Sequence, residues 1–100
     1  MRQLITNDIF TMSRILKKLN INIDTDGESD EKIALKLIVK VAENAHLAQN
    51  EINDFIGGLA NMTGEEFGKL PIKESISILK QFKELDGIDD FFKSAGLLTK

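Results

Sequence analysis

The stretch ITNDIFTMSRILKKL, Ile5 to Leu19, sets the fold class. Ile5, Ile9, Met12, Leu16 and Leu19 recur at alternating steps of four and three, the spacing that lines up one face of an α-helix. Thr6, Asn7 and Asp8 supply an N-cap and an acidic first turn, and Lys17 and Lys18 suit the negative end of the helix dipole. The pattern predicts a helix over about 7–19, ended by Asn20, Ile21 and Asn22.

Downstream the same period continues. Asp24 to Asp30 is acidic and holds Gly27, which predicts a loop with Ser29 as the next N-cap. The following helix, 30–45, confines Lys32, Lys36, Lys40 and Glu43 to one narrow stripe and is apolar around the rest of its circumference. Such a helix is expected at the centre of a bundle, contacted from several sides. A third helix over about 49–60 carries Ile52, Phe55, Ile56 and Leu59 on one face. Its Gly57 and Gly58 either fray the end or let another helix approach closely.

Thr63, Gly64, Glu65 and Glu66 read as a capping box opening a short helix that Gly68 stops. Pro71 suits the first turn of a fifth helix, striped by Ile72, Ile76, Leu79, Phe82 and Leu85. Asp86 is expected to cap a last helix whose Ile88, Phe91, Phe92 and Ala95 face inward. No segment alternates with period two long enough to propose a sheet. The expectation is a single all-α domain over residues 1–100, a compact bundle of about five to six helices with helix 30–45 central.

Composition agrees with that size. With 100 residues, 42% apolar and 29% charged, one modest core is affordable without staples. Cysteine is absent, which removes disulfides, thiolate metal cages and thiol nucleophiles. No apolar run approaches the roughly 20 residues of a membrane helix and no signal-peptide pattern opens the chain, so a cytoplasmic protein is expected. The formal net charge is −3, and the basic group Arg14, Lys17 and Lys18 is too small for a nucleic-acid face. A helix–turn–helix over 63–85 would also need a basic recognition helix, yet Lys73, Lys80 and Lys83 are countered by Glu74, Glu84 and Asp86.

Few residues carry reactive chemistry. Counted from Asn22, a twelve-residue calcium loop would have oxygen side chains at positions 1, 3, 5 and 9 and glycine at 6. Position 12, however, is Ile33 where a bidentate Glu should close the site, so the stretch reads as an acidic connection. His46 is the only histidine and lacks a catalytic set; it reads as a partly buried helix-end residue. The adjacent pairs Glu65/Glu66 and Asp89/Asp90 point in different directions on a helix and read as dipole partners. No catalytic, cofactor-binding or metal-ligating residue is expected, and the chain is not expected to be an enzyme.

Apolar surface beyond the core stripes remains. Phe10 and Ile15 lie beside the main stripe of the first helix, Ile78 lies off the stripe of the fifth, and Phe91, Phe92, Leu97 and Leu98 enrich the last. Phe10, Ile15, Phe91, Phe92, Leu97 and Leu98 are therefore the candidate protein-contact residues.

Three stretches, in order, resemble the tail assembly chaperones of long-tailed phages and prophages of Gram-positive bacteria. They are Ile5 to Leu19, Met62 to Phe67 (MTGEEF) with the 72–82 helix behind it, and Ile88 to Ala95 (IDDFFKSA). The acidic 24–31 loop is a departure from the group. The resemblance implies an all-helical, non-enzymatic protein without a cofactor, acting in the cytoplasm of the host cell. Such chaperones coat the tape-measure protein and keep it soluble until tail-tube protein replaces them, so these two and further copies of the chain are the implied partners. No nucleic acid or membrane partner is implied. The competing expectation is a small helical adaptor or regulatory protein that binds one host or phage protein.

Overall fold

The computed structural model describes residues 1–21 and 27–99, and these contain helices and no strand. Helix α1 spans Thr6–Lys18 and α2 spans Asp30–Asn44. A 3-10 turn, Ala45–Ala48, leads into α3, Gln49–Leu59. Three further helices follow: α4, Gly64–Gly68; α5, Ile72–Lys83; and α6, Ile88–Leu98. The protein is an all-α bundle, with helix boundaries within one or two residues of those the periodicity predicts.

Local chemistry explains most of the ends. The Ser29 hydroxyl accepts the Lys32 N–H at 3.3 Å, while Asp30 and Glu31 fill the acidic first turn of α2. At α4 the capping box closes in both directions: Glu66 N–H donates to Thr63 Oγ1 at 3.0 Å, and Thr63 N–H donates to Glu66 Oε1 at 2.9 Å. Those bonds hold the Glu66 carboxyl below its ordinary pKa. Asp86 does not cap α6. Gly87 occupies that position with φ +79°, a left-handed conformation that glycine adopts without steric cost.

The core is built around α6 rather than α2. Helix α6 packs against both α1 and α2 and buries Phe91, Phe92, Ala95 and Gly96. Gly96 permits that closeness, since a Cβ there would lie 3.0 Å from Leu37 Cδ1. The expectation of a central helix 30–45 is thus corrected. Only Ile33, Ala34 and Leu37 of α2 are buried, and Leu35 remains 61% exposed on the far face beside Val39. Four phenylalanines knit the interior together. Phe55 of α3 stacks on Phe91 with ring centroids 5.9 Å apart, and Phe82 of α5 meets Phe55, Phe91 and Phe92 edge-on.

Helices α3 and α4 form a tight hairpin. A Cβ on Gly57 would fall 2.8 Å from the Thr63 carbonyl oxygen, and one on Gly64 would fall 2.8 Å from the Asp54 backbone nitrogen. Gly58, by contrast, faces open space. Of the two readings of the glycine pair, close approach holds, and it belongs to Gly57.

Candidate protein-contact surfaces

A cleft of about 550 Å³ lies beside α1 and α3, with a lining that includes Arg2, Asp8, Arg14, Lys18, Glu51 and Asp54. Two of its carboxylates, Asp8 and Glu51, are already engaged. Asp8 is buried, accepts the Arg2 guanidinium through both oxygens at 2.8 and 2.9 Å, and also accepts the Ile5 N–H at 2.8 Å. The Arg2 hydrogen bonds hold the Asp8 carboxyl below the usual carboxylate range, against the opposing effect of burial. Glu51 pairs with Lys18, which likewise lowers its pKa. Carboxylates clamped in the ionised form brace α1 against its neighbours and are poor general acids.

This clamp also explains how α1 is turned. Its buried residues are Asp8, Met12, Ile15 and Leu16, so the inward face includes Ile15 and leaves Ile5 outside. Ile15 as a contact residue is corrected accordingly: it lies in the core. The same holds for Phe91 and Phe92, the latter only 1% exposed. Neighbouring residues on a helix diverge by about 100°, and both rings are covered because α6 is packed from more than one side. Phe10, Leu97 and Leu98 are exposed. His46, expected to be partly buried, is exposed in the 3-10 turn. The oxygen-rich segment 22–26 lies outside the described residues.

The most continuous exposed apolar stripe is on α5, where sequence reasoning placed core. Ile72, Ile76 and Leu79 are 76%, 46% and 42% exposed. Phe82 is the only fully buried residue of the helix, with Ile78 and Leu85 partly buried against the core. The helix therefore has two apolar faces. Ile78 and Phe82, four residues apart, look inward, and Ile72, Ile76 and Leu79, at steps of four and three, look outward. A single five-residue stripe ending in Phe82 and Leu85 merged the two. The signal that separates them is Ile78, which fits only the inner face.

Elsewhere the exposed apolar residues are sparser: Ile5 and Phe10 at the start of α1, Leu35 and Val39 on α2, Leu47 in the 3-10 turn, and the Leu97–Leu98 pair at the end of α6. Among the described residues, no group of three or more His, Asp or Glu side chains is gathered to hold a metal ion. No helix among them is long and apolar enough to cross a membrane.

Known families offer no match. Neither a family model, nor a curated protein, nor a solved structure matches this chain.

Proposed function

We propose that this chain is a non-catalytic protein-binding module that covers apolar helical segments of a partner. The observation that carries this reading is the outward stripe of Ile72, Ile76 and Leu79. Exposing large aliphatic side chains at i, i+4 and i+7 keeps them in water at a cost of roughly 1.5–3 kcal/mol each relative to burial. That gain is recovered when another helix lies along them.

Within this class the proposed role is that of a phage tail assembly chaperone. The support for it is the ordered resemblance of Ile5–Leu19, Met62–Phe67 with the 72–82 helix, and Ile88–Ala95. On this reading the chain acts in the cytoplasm of the host bacterium, binds the tape-measure protein, and is displaced by tail-tube protein. Many copies, each bound weakly along one long chain, give avidity while any single copy stays exchangeable.

The test begins with the DNA around the gene, searched for a long helical reading frame downstream. Co-expression then asks whether that long chain stays soluble only when this protein is present, and whether the two co-purify. A long chain equally soluble alone, with no co-purification, overturns the chaperone role.

A further inference from the structure

We infer that the outer face of α5 selects its partner by charge: it takes an amphipathic helix whose apolar stripe is flanked by Asp or Glu. This inference rests on the protein-binding reading above and names the partner chemistry for the same site. Three lysines set the charge of this face. At 3.6 residues per turn, Lys83 falls in line with Ile72, Ile76 and Leu79, and Lys73 and Lys80 flank the stripe on the side away from Phe82. All three are exposed, and none pairs with a carboxylate among the described residues. Of the nearby acids, Glu74 projects to the opposite side of the wheel, while Glu84, the C-cap residue one turn beyond Lys80, ends the margin of Lys73 and Lys80 and leaves it net positive. A face that is apolar along its centre and basic along one margin is complementary to a helix that is apolar with an acidic margin.

The same lysines argue against a second copy of this chain. Antiparallel self-pairing along the stripe sets Lys73 of one copy beside Lys80 of the other, a like-charge contact that penalises the symmetric dimer. A membrane surface is also the poorer fit. The stripe spans about 10 Å and holds no aromatic residue to anchor in an interface. Its length matches two turns of a partner helix.

The experiment uses the full chain and two fluorescent peptides of matched helicity. Both carry the same leucine stripe at i, i+3 and i+4 spacing; one has Glu at the flanking positions and the other Lys. Three exposed ion pairs, worth roughly a factor of two each, multiply to about eightfold tighter binding of the Glu peptide at low salt. That preference should collapse at high salt, reverse in a K73E/K80E/K83E chain, and disappear with all binding in Ile76→Glu. Ile76 is half exposed, so this variant should keep its helical circular dichroism and melting temperature. Equal binding of the two peptides, tighter binding of the Lys peptide, or binding of neither overturns the inference. So does concentration-dependent dimerisation abolished by Ile76→Glu, or sedimentation with anionic vesicles abolished by it. If the long chain of the co-expression test is still captured by the Ile76→Glu protein, the α5 assignment fails and the binding reading survives. If capture fails while the Glu peptide binds as expected, the chaperone role falls and the α5 assignment stands.

Discussion

Three glycines on the α3–α4 hairpin differ only in what a methyl group would meet, and alanine at each should separate them by sign. At Gly58 the added Cβ meets nothing within 4 Å, so Gly58→Ala removes the backbone-entropy cost of glycine inside a helix. The expected gain is about 0.5–1 kcal/mol, or a rise in Tm of roughly 2–6 °C for a domain of this size. At Gly57 the same propensity gain is opposed by a Cβ 2.8 Å from the Thr63 carbonyl oxygen. With overpacking costs of about 1–3 kcal/mol, Gly57→Ala should be destabilising by about 1 kcal/mol net. Gly64→Ala is the most damaging, because its Cβ lies 2.8 Å and 2.9 Å from the Asp54 backbone nitrogen and Cα, and backbone cannot rotate away. A loss of about 2 kcal/mol is expected there, lowering Tm by on the order of 10 °C. The chain has neither Trp nor Tyr, so melting is best followed by far-ultraviolet circular dichroism. If Gly58→Ala and Gly64→Ala shift Tm in the same direction, the close approach of α3 and α4 is wrong.

Other perturbations probe the remaining contacts. Asp8→Asn should cost about 1 kcal/mol at neutral pH, a modest figure because the partner Arg2 side chain is more than a third exposed and screened by solvent. The folded-state pKa of Asp8 is depressed, so its contribution is complete above the ordinary carboxylate value and lost as pH falls through the folded one. The stability gap between wild type and Asp8→Asn should therefore be constant near neutrality and close in acid; a gap that widens in acid refutes the clamp. Phe92→Ala removes a ring packed edge-on against Phe82 and Phe91 and should cost about 3–5 kcal/mol in urea denaturation. Thr63→Ala deletes one half of the α4 capping box and should cost about 1 kcal/mol, with a thermal melt as the check.

Spacing and end signals made much of this fold legible. Helix α1, the Ser29 cap, the Thr63–Glu66 box and the α6 helix itself follow from residues within one or two turns of each other. What stayed hidden depends on partners distant in sequence. Leu35 and Val39 are as apolar as Ile33 and Leu37, and only the seat of α6 decides which pair of α2 is covered. Asp8 reads from the sequence only as a first-turn acid because its partner, Arg2, precedes the helix and sits at no helical spacing from it. Phe91 and Phe92 looked surplus for a short terminal helix, and became core because α6 is enclosed. Of the surface candidates, Phe10, Leu97 and Leu98 stayed accessible, while the widest stripe was on α5, where a regular apolar pattern has the same appearance whether it faces in or out.

The way α5 is held has a further consequence. A helix of twelve residues is too short to persist alone in water, and its only fully buried side chain, Phe82, stands one residue from its end. The first two turns therefore have little to keep them closed, and their amides should exchange with solvent by local opening, well before the globule as a whole unfolds. Part of any docking energy on that face is spent on ordering those turns. Affinity should then respond to helix propensity at positions that touch nothing. Alanine in place of the exposed Ser77 would tighten binding without adding a single contact to the partner.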